Sequence, residues 1–442
     1  MIKCIGNGLL ITQNRDNPLI ENGCVAIEGN KIIDFGPTSA LKEKYAGAEY
    51  YDAKGRVIMP GLINTHGHIY SALARGMILA DAKPSHSFQD ILENLWWRVD
   101  RHLDLPEIQS SAFATYIDCI KNGVTTFYDH HASAGRMQGS LFAIAGVAKE
   151  LGIRTSLCYE VSDRDGDAIA LEGIRENAGF IAYAKEQKTD MIKGLFGLHA
   201  SFTLSDATLE KCLEAADGTG FHVHVAEGIE DLKDSQNKYG KRVVERFFDK
   251  HILGQKTIAV HCIHVDAHEM DLLKETDTMV VHNPESNMGN AVGYSQAIEM
   301  LQKGILVGLG TDGYTTDMLE SLKVANILHK HQLKDPNAAW VESPQMLFKN
   351  NAAICARHFD SPVGIIKKGA LADIIVVDYN APTPVTANNF NSHILFGMMG
   401  RNVATTMING KYVMRERELL TADEERVYAE SREVARSFWS RV

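Results

Sequence analysis

The chain has no run approaching the roughly 20 apolar residues that a membrane span needs. Its first residues, MIKCIGNGLLITQNRDNP, lack the long apolar core and small-residue cleavage site of a signal peptide. There is no CxxC pair. The seven cysteines (Cys4, Cys24, Cys119, Cys158, Cys212, Cys262 and Cys355) are scattered and odd in number, which excludes a disulfide scaffold and predicts reduced, mostly buried thiols in a cytoplasmic protein. Positive charge is not in excess: the net charge of −11 argues against a sequence-independent grip on nucleic acid or an anionic membrane. H-E-x-x-H is absent, and so is the H-x-E…P-C-x-x-C signature of the cytidine deaminase zinc fold. Histidine, by contrast, is plentiful: 18 residues, against 16 Phe and 14 Tyr. It is the commonest metal ligand and the neutral-pH proton shuttle, so the placement of these residues matters.

The 442 residues exceed the roughly 250–300 at which a single core stops growing. Residues 1–57 alternate apolar and polar positions around Gly- and Asn-rich turns, with EGNKI as a hairpin signal. The same style returns after about Val363 in GALADIIVVDYNAPTP and VATTMINGKYVM, where Asn409-Gly410 marks another hairpin. Between them, eight short apolar runs alternate with helical stretches: GLINTHGH, GVTTFYDHH, IRTSLCYE, KGLFGLHA, GFHVHVAE, TIAVHCIH, MVVHNPES and ILVGLGTDG. This predicts an α/β fold: a (β/α)8 TIM-type barrel over 58–360 with a small β-sandwich built from both termini, 1–57 plus 361–442. Thr421 to Glu424 reads as a capping box opening a C-terminal helix docked by Val434, Phe438 and Trp439.

Each run stays apolar until its last residues. The ends carry His66 and His68, Asp129 with His130 and His131, Glu160, His199, His222 with His224 and Glu227, His261 with His264, His282 with Asn283, and Asp312. Turns favour Asp, Asn, Ser and Gly, so turn chemistry does not explain the histidines. In a barrel all strand ends open onto one mouth, where the active site sits. His66-Gly-His68 places two imidazoles on one side of a strand, because strand period is two, and zinc takes such nitrogens at about 2.0–2.1 Å. His224 is the expected third ligand and Asp312 the fourth. His222 lies one layer deeper, as a supporting or core histidine. Glu227 is a candidate general acid/base and His261 a site residue. Gly308, Gly310 and Gly313 match G-x-G-x-x-G, but they close a strand and enclose an acid, so tight turning beside a ligand explains them better than a nucleotide. Core packing is the default for Trp96 and Trp97; lining a pocket for a flat ring is the alternative. Cys262, beside His261, reads as core rather than nucleophile.

These residues resemble the amidohydrolase superfamily, in particular its guanine deaminase and triazine hydrolase branch. VIMPGLINTHGH, HVHVAE, VHCIHVD, VVHNPESN and GLGTDG stand in family order, and the match spans nearly the whole chain. The resemblance implies one divalent metal per chain, zinc before iron, on His66, His68, His224 and Asp312. It also implies catalysis by Glu227, Asp312 and His261, and substrate contacts from His199 and His282. The implied activity is hydrolytic deamination of an amino-substituted N-heterocycle or amidine by metal-activated hydroxide, with release of ammonia; cyclic amide or triazine halide hydrolysis is the alternative. Asn287 is followed by Met-Gly-Asn-Ala-Val-Gly-Tyr294 instead of a leucine- and glycine-rich stretch, and HASFT stands where guanine deaminases carry an arginine; both argue against guanine itself. A binuclear cyclic amide hydrolase needs a carboxylated lysine at the fourth strand, and Lys193 lies six residues before His199, too deep. An inactive relative would have lost ligands, and none is lost here. The expected partner is a small molecule, and the expected assembly a homodimer or higher homo-oligomer.

Overall fold

The computed structural model describes residues 1–79, 81 and 83–442. Both termini contribute to one mixed sheet. Ile2–Ile11, Leu19–Glu28 and Lys31–Pro37 run antiparallel in sequence, with the expected hairpin pairing Glu28 to Lys31. Val57–Pro60 pairs parallel to the first strand on one side and antiparallel to Ile374–Val377 on the other. Val403–Ile408, Lys411–Arg415 and Glu418–Leu419 extend the sheet, while Glu49–Asp52 branches from the first strand. Asn409 (φ 52°) and Gly410 (φ 74°) make the tight turn that their sequence signals. Because Val57–Pro60 joins N-terminal and C-terminal strands edge to edge, the nine strands share one hydrogen-bonded network where two stacked sheets were expected. Ile58, Met59 and Pro60, expected in the barrel portion, pair within this terminal sheet.

The intervening chain supplies eight parallel segments. Leu62–Gly67, Val124–His131, Arg154–Tyr159 and Ile192–Gly194 form one ladder. Phe196–Ala200, Phe221–Val225, Ile258–His261, Met279–His282 and Val307–Leu309 form a second. The fourth segment is split at Leu195 between the two ladders. Bridges from Val161 to Leu198 and from Gly67 to Asp312 connect them, a TIM-barrel-type arrangement beside the terminal sheet. These strands are buried on both faces, as their near-continuous apolar sequences require. At the eighth segment the backbones come close: a Cβ on Gly310 would lie 2.8 Å from the His66 carbonyl and 2.5 Å from Asn283 Oδ1, so the glycine there serves packing beside Asp312.

Several connecting helices start at side-chain caps. Leu105–Lys121 opens at Asp104, with Glu107 completing the capping box, and Ala267–Glu275 opens at Asp266 with Glu269. The C-terminal helix Glu424–Trp439 is capped by Asp423, which accepts from the Arg426 amide; the cap thus falls two residues beyond Thr421. Phe438 is fully buried, and Trp439 docks by donating its indole N–H to the Leu73 carbonyl. The terminal sheet is pinned to the third parallel strand by Arg154 and Asp373. Both side chains are fully buried, with Nη2 2.9 Å from Oδ1 and Nε 3.1 Å from Oδ2.

Candidate active site

Strand alternation turns His66 and His68 to one side of the first parallel segment. His68 donates Nδ1–H to the His130 carbonyl (2.6 Å), which turns its Nε2 toward Asp312 Oδ1 at 3.1 Å. His66 pairs Nδ1 with His222 Nε2 at 2.9 Å, so the deeper histidine orients the outer one; His66 Nε2 is buried with no hydrogen-bond partner and lies 4.0 Å from Asp312 Oδ1. Ligand atoms of His66, His68 and His224 lie within 4.8 Å of one another, as do those of His66, His261 and Asp312. Unpartnered imidazole nitrogens converging with a carboxylate are costly unless a cation or shared proton joins them, and the N/O donor set suits zinc or iron. Burial pushes the His66 and His224 imidazoles well below their ordinary range, toward the neutral form a metal ligand needs. Burial disfavours charge at His68 too, but Asp312 outweighs it and raises His68 to about 9.

Asp312 adopts φ 59° and His261 φ 71°, a left-handed backbone rare for non-glycine residues. The surroundings hold both in place: Asp312 Oδ2 accepts from Ser286 (2.7 Å), its Oδ1 from the Gly313 amide (2.6 Å), and its own amide donates to the His66 carbonyl (3.1 Å). Such local strain recurs at sites where side chains must be aimed. Burial works against ionisation of Asp312, yet His68 and the Ser286 hydroxyl hold its carboxyl far below the usual range. Glu227 Oε2 stands 3.3 Å from His261 Nε2, and Asp312 Oδ2 stands 3.5 Å from the same nitrogen. Burial and then the Asp312 charge push Glu227 well above an ordinary carboxyl. Two carboxyls whose surroundings push their pKa values in opposite directions beside one histidine make a candidate acid/base pair.

These groups line one cleft with about 680 Å³ of open space; its walls include His68, His224, Glu227, Asp312, Glu160, His199, Trp96, Phe202 and Tyr314. The geometry therefore gathers His66, His68, His224, Asp312, Glu227, His261 and His199 at or directly behind one mouth. It does not gather His282. That residue is fully buried off the cleft wall, 3.4 Å from Asn287 Nδ2, and Asn287 Oδ1 accepts from His261 Nδ1 (2.8 Å); His282 reaches the site only through Asn287 and His261. Trp96 lines the cleft, while Trp97 packs behind it against Phe202. Lys193 pairs with Asp360 (2.9 Å) away from the cleft. His268 is exposed on its helix. Glu160 was visible at a strand end, but nothing in the local sequence marks it as facing the cleft; that follows from the third and fourth strands converging with the first and fifth.

Residues 57–413 match the model of the amidohydrolase family. Across 444 residues the chain is 30% identical to a 5'-deoxyadenosine deaminase of Methanosarcina mazei, covering 99% of this chain and 98% of that protein. It is 34% identical over 417 residues to a 5-methylthioadenosine/S-adenosylhomocysteine deaminase of Thermococcus sibiricus, covering 93% of each. An adenosine deaminase from Xanthomonas campestris, solved with bound zinc, superposes with a TM-score of 0.87 at 24% identity over 100% of this chain and 99% of that one.

Proposed function

This chain belongs to the amidohydrolase family, as a hydrolase of non-peptide carbon–nitrogen bonds working by hydrolytic deamination, and on that premise we propose that its substrate is an amino-substituted N-heterocycle bound in the cleft beneath Trp96 and Phe202. The observation that carries the reading is the convergence of His66, His68, His224 and Asp312 opposite Glu227, whose carboxyl burial holds above its ordinary range. Those four residues would hold one divalent cation, zinc before iron. When bound it supplies Lewis acidity, which lowers the pKa of water at the site.

The remaining work belongs to the side chains. Glu227 delivers the proton on its carboxyl to the ring nitrogen beside the amino-bearing carbon, which makes that carbon electrophilic. Asp312 Oδ2 takes a proton from the attacking water. Of the two water protons, one restores Glu227 and the other leaves with the amino nitrogen through Asp312. The ring gains a carbonyl and an N–H, and ammonia departs. His261, whose Nδ1–H is held by Asn287 Oδ1, turns its Nε2 toward the attacking water and hydrogen-bonds it. His199 contacts the substrate. The seven buried free thiols fit a reducing, cytoplasmic setting. A closed eight-stranded barrel and a terminal domain drawn from both ends of the chain complete the proposed organisation. The exposed Trp340, Val341, Phe396 and Ile327 are the first surface to test for homodimer formation.

Glu227→Gln tests the role directly. Metal content stays at the wild-type value while ammonia release falls by about 10²–10⁴-fold; full activity in that variant refutes it. The substrate panel starts with adenine nucleosides and continues through aminopyrimidines, triazines and cyclic ureas. Urea or halide product without ammonia would select the cyclic amide or triazine alternative.

A further inference from the structure

Glu160 is a carboxylate that the deamination steps above do not use. It ends the third parallel strand, its side chain is 4% exposed, and it lines the cleft. Its acceptor atoms lie within 4.8 Å of ring nitrogens of His199 and His224, which places it against the reacting centre.

The hydrogen-bond network fixes the polarity of this wall. His130 directs Nε2 at two carbonyls, Leu198 (3.1 Å) and His222 (3.0 Å), so Nε2 carries a proton. Its Nδ1 faces Glu160 Oε2 at 3.1 Å. With Oε2 turned toward His130, Oε1 is the carboxylate oxygen available as an acceptor to an occupant of the cleft. His199 behaves likewise. Thr203 Oγ1 donates to the Ala200 carbonyl (3.1 Å), so it accepts from His199 Nδ1 at 2.7 Å; His199 Nε2 is then a bare lone pair. Glu160 and His199 end the third and fourth strands, on one side of His224. Glu227, the proton donor of the deamination proposed above, and His261 lie past the fifth strand and on the sixth, on the other side. The cleft therefore offers a donor on one flank of the reacting carbon and acceptors on the other.

We propose that Glu160, with His199, is a specificity-determining residue that selects heterocycles carrying an N–H donor on the flank of the amino-bearing carbon opposite Glu227, the HN–C(NH2)=N pattern of a cyclic guanidine. A ring nitrogen without hydrogen, or an ether oxygen, at that position would set lone pair against lone pair. Buried polar groups left unpaired in this way are the strongest basis for rejecting a near-isostere. The proposal rests on the deaminase reading of the same cleft.

The test uses two ring-matched probes, 2-aminobenzimidazole and 2-aminobenzoxazole, which differ by N–H against O. Both are titrated calorimetrically into zinc-loaded full-length enzyme in alkaline buffer, where each is neutral. The wild type should bind the benzimidazole at least about 30-fold more tightly, and Glu160→Gln should bring the ratio within about threefold, because the amide can turn its NH2 toward the ring oxygen. A wild-type ratio near one, no binding of either probe, or a ratio unchanged in Glu160→Gln overturns the proposal. The wild-type ratio decides even if the variant fails to fold. Ammonia release from the heterocycle panel is measured on the same sample. Preserved probe preference without ammonia from any compound sinks the deaminase reading alone; ammonia release without probe preference sinks this proposal alone.

Discussion

Replacing Asp373 by alanine leaves the Arg154 guanidinium buried, charged and without its carboxylate. Both side chains are fully buried, and three contacts of 2.9–3.1 Å join them. Asp373 Oδ1 also accepts from the Asn409 amide at 2.8 Å, at the turn of the C-terminal hairpin. Arg154 retains only the Asp190 carbonyl. Breaking one side of a buried pair costs about 3–5 kcal/mol, most of it the desolvation of the orphaned charge. With a urea slope of about 3 kcal/mol/M, the unfolding midpoint of Asp373→Ala should fall by about 1–1.7 M, read by tryptophan fluorescence. Replacing both partners, Arg154→Met with Asp373→Leu, removes the orphan and should recover most of the loss. The strand that begins at Arg154 ends one residue before Glu160, so the double variant should keep the probe preference of the wild type. A drop below about 1 kcal/mol in the single variant, or a double variant as unstable as the single, would refute the claim that an uncompensated buried charge sets the cost.

Three further outcomes are expected. His66→Ala should abolish stoichiometric metal binding measured by elemental analysis, because it removes the buried unpartnered Nε2 while His222 loses its partner; one tightly held metal per chain in that variant would move the site elsewhere. Burial opposes ionisation of Asp34, but Lys44 and Lys368 outweigh it and hold the carboxyl at about 2, below its unfolded value of 3.8. Its stabilising contribution is therefore present above about pH 4 and lost as pH falls toward 2; since both lysines are largely exposed, it amounts to about 1 kcal/mol or less. The stability gap between wild type and Asp34→Asn should close over that window, and a gap that widens toward low pH would contradict the sign. All seven cysteines are buried free thiols, and burial pushes the Cys24 thiol up to about 12, so iodoacetamide should leave the native protein unlabelled at neutral pH. Rapid labelling of Cys262 would revive it as a nucleophile.

Much of the site was legible in the sequence because strand ends carry their chemistry locally. His66-Gly-His68 needs only the two-residue period to put both rings on one side, and His224 and Asp312 are marked by where their apolar runs stop. Long-range partners carry no such mark. His282 has the same local signature as His261, yet one faces the reacting groups and the other sits behind Asn287, because the side from which each strand meets the mouth depends on its neighbours. Trp96 and Trp97 are adjacent and chemically identical, and only the turn of their helix sends the first into the cleft.

The sequence alone determined the alternation of eight strands and helices, the strand-rich ends, the hairpin at Asn409-Gly410 and the set of histidines and acids from which the site is built, since each follows from periodicity or turn chemistry within a few residues. The tertiary structure alone decided that the terminal strands join edge to edge through Val57–Pro60, that Asp312 and His261 hold left-handed backbones, and that Glu160 faces the cleft. Those are properties of contacts between segments up to hundreds of residues apart, where burial and hydrogen-bond pairing, not local propensity, set the energy.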